Sequence, residues 1–363
     1  MGPPVEARTE LCRSTGKDLE DSPPPPTAVA ADCRLFALSI PSSASAASLP
    51  KLGVADNNRS TVTDPRFQAF GIKYLRVTIP WNVYLKPNSG TARRFNQTID
   101  GAQRRGIRVL GSFTLGSFKS RRKRLALVGL KSYTKAFKRF RKRQKDVKEF
   151  IPWNEQNHRF MPTRTRRGSK RAALYYRAVK RNCRRCTVLG ATVLDEKNVV
   201  SYLKRYKRQL RQLRIKQPRI WGLHAYKGVE KGSTKPVRRM LRTVRGKVWI
   251  VESGGHYKHS GRKPKVRPDG QRQARQDRFL FNRIANNGRL RRRIRRIYIY
   301  NWAQVSRNTW DSALIGPDYA PGGTTPISGL KLRPAFFVVQ SEAKKRGLLR
   351  GAEVPVPPGL VVP

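Results

Sequence analysis

The sequence predicts an α/β fold, a (β/α)8 TIM barrel behind a disordered N-terminal extension, and three observations lead there. From residue 51 onward, short apolar or β-branched runs that end in polar residues alternate with basic segments of helical period. Eight such runs can be counted, and no Gly-x-Gly-x-x-Gly follows the first of them. Alternating strands and helices imply parallel pairing, eight repeats favour closure of the sheet on itself, and the missing glycine pattern argues against an open dinucleotide-binding sheet. At 363 residues with 38% hydrophobic side chains, the chain is long enough to bury one such core.

The expected strands are Leu52–Ala55, Tyr74–Ile79, Ile107–Phe113, Val147–Trp153, Thr187–Val193, Ile220–Tyr226, Val248–Glu252 and Ile297–Trp302. Helical spacing of apolar residues is clear in Ser132–Arg143, Lys170–Arg181, Val199–Leu213, Val237–Val244, Gln271–Ala285 and Pro334–Lys345. Irregular spacing after the seventh strand implies an inserted loop around His256–Gly270. The barrel is thus assigned to residues 50–347, with a C-terminal tail over 348–363. Residues 1–49 read as a disordered or linker tail, stiffened by Pro23 to Pro26. Within that tail, Arg34, the run Leu35–Ile40 and the small residues Ser42–Ala47 are weakly similar to a secretory signal, which favours an extracellular or cell-envelope location and leaves a cytoplasmic one open. No segment approaches the roughly 20 apolar residues of a membrane span.

Charge is the most extreme property of the chain. Lys and Arg total 79 against 22 Asp and Glu, a formal net charge of +57. Residues 1–47 carry four basic and six acidic side chains, so the excess belongs to the barrel. Such a surface attracts polyanions, including nucleic acid, anionic lipid headgroups and the acidic glycans of a cell envelope; a basic composition bias is the alternative. The tracts Ser120–Arg124, Lys138–Lys145 and Arg289–Arg296 fall at separate places around the predicted barrel, which favours a solvated basic exterior over a single nucleic-acid groove. Of the four cysteines, Cys183 and Cys186 form a Cys-x-x-Cys pair read as a local disulfide, while Cys12 and Cys33 in the tail supply no second pair for zinc. His256 and His259 have no carboxylate close in sequence and are flanked by lysines, so neither a metal nor an organic cofactor is expected.

In a parallel barrel the C-terminal ends of all strands share one face, where functional groups collect. Glu155 follows the fourth run and Glu252 ends the seventh; both close apolar stretches, where a carboxylate is costly without a task. Two carboxyl groups are the equipment of glycosidic bond cleavage: one protonates the departing oxygen, the other attacks the sugar carbon or activates water. Arg76 in the second strand and Tyr226 at the end of the sixth are placed to hold Glu252 ionised, with His224 beside them. Asn154 is placed to donate to a sugar hydroxyl, and Trp81 and Trp302 offer flat apolar faces for a pyranose ring. All four histidines, His158, His224, His256 and His259, fall at or after strand C-termini.

Together, the Asn-Glu pair of strand four, Trp249-Ile250-Val251-Glu252, the strand-two arginine, the His-x-Tyr of strand six and the strand-eight tryptophan resemble the retaining (β/α)8 glycoside hydrolases of clan A. The resemblance covers about residues 50–345, and Trp-Asn-Glu-x-Asn-His is similar to a block found in bacterial glycosidase-like proteins. It implies that Glu155 is the acid/base and Glu252 the nucleophile, with Arg76, Asn154, His224, Tyr226 and Trp302 shaping the subsite around the scissile bond. It further implies an O-glycosyl hydrolase acting with retention on a polysaccharide or oligosaccharide; separately, a monomer is expected. Two other readings stand beside it: a catalytically silent barrel that binds carbohydrate, and a polyanion-binding protein that uses its basic exterior. The separation of the two carboxyl groups discriminates, since a distance near 5 Å suits retention and one near 9 Å inversion.

Overall fold

The structure is a computed structural model that describes residues 48–260, 265–304, 310–319, 325–360 and 362. The tail assigned to residues 1–49, with Cys12, Cys33 and the signal-like segment, lies outside the described residues up to position 47. Eight parallel strands follow: β1 (Lys51–Ala55), β2 (Tyr74–Pro80), β3 (Arg108–Thr114), β4 (Glu149–Ile151), β5 in two segments (Thr187–Val188 and Thr192–Leu194), β6 (Ile220–His224), β7 (Lys247–Ser253) and β8 (Ile294–Tyr300). They pair in chain order, with β1 beside β8, and the two segments of β5 form the two ends of the sheet. The sheet therefore closes on itself through one interrupted strand. Leu189 N–H donates to Phe150 O on one side, and Gly190 N–H to Ile220 O and Gly222 N–H to Ala191 O on the other, at 2.9, 2.9 and 3.1 Å.

Each predicted run overlaps one of these strands, and the amphipathic helices between them cover the outside. In Leu130–Arg143, Tyr133, Ala136, Phe137 and Phe140 recur at helical spacing and are buried, while the lysines and most of the arginines face water. The helix expected over Gln271–Ala285 is α-helical over Gly270–Phe279 and continues as a π-helical turn, Leu280–Ala285, that buries four apolar side chains. The inserted loop after β7 carries a short strand, Lys258–His259, that pairs antiparallel with Trp310–Asp311. Residues 348–354 of the expected C-terminal tail are bound to the barrel, with Arg350 N–H donating to Ala69 O and Gln340 exchanging two hydrogen bonds with the Val354 backbone. Cys183 and Cys186 are joined in a disulfide between the helix Arg166–Asn182 and β5.

The barrel interior is layered. At the N-terminal end, Arg296 lies between the rings of Tyr74 and Trp249, 4.0 and 3.8 Å from their centroids, and both its Nη atoms donate to Glu149. Here the sequence reading needs correction: Arg296 belongs to the tract expected on the exterior, yet its strand phase turns it inward and leaves it 5% exposed. A middle layer of Leu110, Ile151, Leu189, Val251 and Tyr298 is apolar, and Gly53 makes room for the Tyr298 ring, which a Cβ would meet at 2.7 Å. Above it, at the C-terminal end, the layer of Arg76, Ser112, His224 and Glu252 is polar.

Candidate active site

Glu155 is presented by a short segment whose other polar side chains are engaged in holding it. Asn154 N–H donates to Phe113 O, Gln156 N–H to Thr192 O, and the Asn157 side chain exchanges bonds with the Leu194 backbone and Asn198. The Gln156 carboxamide is fixed between Trp153 O and the Tyr202 hydroxyl. Glu155 itself has φ of 44°, a left-handed conformation that costs an L-residue about 1–3 kcal/mol and persists only where neighbours over-determine it. The result is a glutamate turned toward His224, with its carboxylate 3.3 Å from His224 Nδ1 and 4.0 Å from His158 Nδ1.

Glu252 reaches the same place by a break in strand periodicity. Val251 faces the barrel interior, so strict alternation would send Glu252 outward. The pairing of β7 with both neighbours shifts register at this point, and the bulge lets two successive residues face inward. The Glu252 carboxylate accepts from Arg76 Nη1 at 2.5 Å and from the Tyr226 hydroxyl at 3.0 Å. Arg76 is 1% exposed, and its Nη2 donates to Asn154 Oδ1 at 2.7 Å and Ser112 Oγ at 3.3 Å. Because a guanidinium only donates, Asn154 must turn its oxygen to Arg76, which leaves its NH2 group for the pocket. Burial opposes ionisation of Glu252, but His224 and Arg76 outweigh it and hold the carboxyl well below its usual range.

His224 lies wholly buried, with Nδ1 3.3 Å from Glu155 and 3.6 Å from Glu252. Burial works against its charged form, and the two carboxylates reverse that effect, raising its pKa above the ordinary imidazole value. Neither contact is a well-formed hydrogen bond: the one to Glu155 is misaligned and the one to Glu252 is too long. One ligand atom each from Glu155, His224 and Glu252 lies within 4.8 Å of the others, a spacing that also suits a metal. The guanidinium already in contact with Glu252 disfavours it, since a second cation would have to share that carboxylate with Arg76.

A pocket of about 430 Å³ opens over Glu252, lined by Asp56, Asn57, Arg76, Asn154, Tyr300, Asn301 and Gln304 among others. Arg76, Asn154, His224 and Tyr226 stand with the two glutamates as expected, and the tryptophans do not. Trp302 is wholly buried, edge-on to Phe67 and Phe70 at 5.2 Å, with Nε1 donating to Asp64 at 3.0 Å; its ring is core and offers no face to a sugar. Trp81, 8% exposed, packs against Phe118 and does not line the pocket. Tyr226 is displaced from its expected strand, opening a short helix, Tyr226–Glu230, where Asp195 accepts from the N–H groups of Lys227 (2.9 Å) and Gly228 (2.6 Å). Burial raises the Asp195 pKa to about 6, despite these two donors. Asp56 and Asp195, which sequence reasoning missed, each directly follow a strand, β1 and β5, so the strand-end rule applied to every strand would have found them.

No family model and no curated protein matches the chain. Solved structures do. An apo β-glucosidase designated 1317 aligns with a TM-score of 0.53 at 12% identity, covering 79% of this chain and 88% of that one. The virulence factor SghA from Agrobacterium tumefaciens aligns at 0.51 and 10%, covering 81% and 96%, and the β-glycosidase BGL167 at 0.50 and 13%, covering 82% and 87%. At this identity the likeness is one of fold: the chain shares the (β/α)8 barrel architecture of these structures. Among the described residues no helix is long and apolar enough to cross a membrane.

Proposed function

We propose that the protein is a retaining O-glycosyl hydrolase that cleaves a polysaccharide or oligosaccharide by double displacement. The observation that carries this reading is the approach of carboxylate oxygens of Glu155 and Glu252 to within 4.8 Å. Retaining pairs stand about 5–5.5 Å apart, whereas inverting pairs need about 6.5–9.5 Å to admit a water between them. Glu252, kept ionised by Arg76 and Tyr226, attacks the anomeric carbon while Glu155 gives its proton to the departing oxygen. In the second step the Glu155 carboxylate takes a proton from water, the hydroxide oxygen bonds to the same carbon, and the ester to Glu252 breaks. Asn154, oriented by Arg76, donates to a substrate hydroxyl, and Asn301 and Gln304 supply further amides along the pocket. No metal or organic cofactor takes part in this scheme.

We place the protein, as a monomer, at the cell exterior or envelope, where polysaccharide substrates occur. Turnover tests the catalytic reading. Glu252→Ala is expected to lose activity by at least about 10³-fold while keeping the fold, with azide restoring turnover as a glycosyl azide of inverted configuration. A wild-type protein that binds glycans but releases no sugar would favour the silent carbohydrate-binding barrel.

A further inference from the structure

We propose that a groove at the opposite end of the barrel from the catalytic pocket is a binding site for an acidic polysaccharide. It is a depression of about 630 Å³ between the end of the helix Lys235–Thr243 and the turn Gly288–Arg291. Gly246, in its wall, immediately precedes β7 and stands six residues before Glu252, or about 20 Å along a strand. A ligand there leaves the catalytic mouth open.

Four exposed arginines, Arg238, Arg242, Arg245 and Arg289, ring the groove. Arg238 and Arg242 stand one helical turn apart, a like-charge spacing that destabilises a helix. No carboxylate lines the depression, and none of the four has an acidic partner among the described residues. Unpaired cations are common among the described residues, and some line other pockets; what distinguishes these is that four gather around one depression. A fifth guanidinium, that of half-buried Arg293, fixes the wall by donating to Leu241 O, Val244 O and Gly246 O. The positive rim is therefore built on a braced backbone.

Between the arginines the floor is apolar, made by Leu241, Val244 and Leu290. An acidic sugar chain matches both parts: pyranose C–H faces rest on the floor while carboxylate or sulfate groups meet guanidinium forks. Single-stranded nucleic acid is less well served, since no aromatic ring lines the groove for base stacking. A bilayer surface is disfavoured too. The large apolar side chains exposed among the described residues, Phe160, Ile327, Leu330 and Val356, all lie outside the groove.

The experiment measures affinity of the full chain for fluorescent polygalacturonate oligosaccharides at physiological salt. Two variants each lose four positive charges: R238S/R242S/R245S/R289S at the groove, and K131S/K135S/K138S/K142S on the exposed face of Leu130–Arg143. The groove variant is expected to bind at least about tenfold more weakly, and the helix variant within about twofold of the parent. Circular dichroism checks that both are folded, and Arg→Lys at the same four sites, which keeps charge but not fork geometry, is expected to recover binding only in part. Equal loss in both serine variants would overturn the site in favour of the diffuse exterior charge. Duplex DNA competing as well as polygalacturonate would overturn the ligand class. Because the readout is binding, failure here leaves the hydrolytic proposal standing, and failure of hydrolysis leaves this one.

Discussion

Replacing Arg76 by methionine removes the cation on which the polar layer of the barrel is organised. The guanidinium touches Glu252 at 2.5 Å, Asn154 at 2.7 Å and Ser112 at 3.3 Å, and is 1% exposed. Methionine keeps most of the volume, so the loss is electrostatic rather than a cavity. Breaking a buried ion pair from one side leaves an uncompensated charge and costs about 3–5 kcal/mol, part of which Glu252 escapes by taking up a proton. The sign of the pH dependence follows. In the parent, the depressed pKa of Glu252 contributes stability that is present above the ordinary carboxylate value and lost as pH falls through the folded one. In R76M the share of that contribution owed to Arg76 is lost while His224 stays beside the carboxylate, so the variant is most destabilised near neutral pH and approaches the parent in acid. Urea unfolding of R76M, E252Q and R76M/E252Q from about pH 2 to about pH 8 measures it, with E252Q rescuing R76M by at least about 2 kcal/mol at pH 7. Additive losses in the double variant would refute the reasoning.

Removing the Asp195 side chain (D195A) frees the turn that carries Tyr226, and is expected to lower kcat about 10- to 100-fold with little change in KM, while D195N, which keeps one acceptor, loses less. Asp277 is wholly buried, accepts from Gly255 N–H just beyond Glu252, and is raised by burial to about 7; its contribution to stability is intact at acidic pH and lost as pH rises from about 4 to about 7. D277N should flatten that slope in a series of thermal melts, and an unchanged slope would contradict it. Trp302→Ala should cost about 3–5 kcal/mol of stability and leave KM nearly unchanged in the folded fraction, because the ring is packed among Phe67, Phe70 and Phe336; a raised KM without destabilisation would restore it as a sugar platform.

The fold was legible because its signal repeats. Eight apolar runs with amphipathic helices between them leave little choice of architecture, and the helix Leu130–Arg143 shows why: its buried aromatics recur every three or four residues among lysines and arginines. The strand-end rule singled out Glu155, Glu252 and His224, which the structure brings together with Arg76, a residue read within the second strand. It worked because the polar end of a barrel strand has one common destination. What stayed hidden depended on phase. Glu252 faces the interior only through a bulge, and no residue type marks that bulge in Val251-Glu252-Ser253. Arg296 reads as one of a basic run, yet the pleat of β8 sends it into the barrel against Glu149, which lies far away in sequence. Trp302 ends an apolar run as a platform would, and its burial is decided by Phe67 on the helix Pro65–Ala69 and Phe70 just after it, a helix that sequence reasoning did not delineate.

Glu155 and Glu252 bring two carboxylates to the spacing of a retaining pair. Proton NMR of the first sugar released from a panel of 4-nitrophenyl glycosides tests this most directly, read before the anomers equilibrate. The first-formed product is expected to keep the configuration of the substrate, and Glu252→Ala to yield none. Release of the opposite anomer would contradict it.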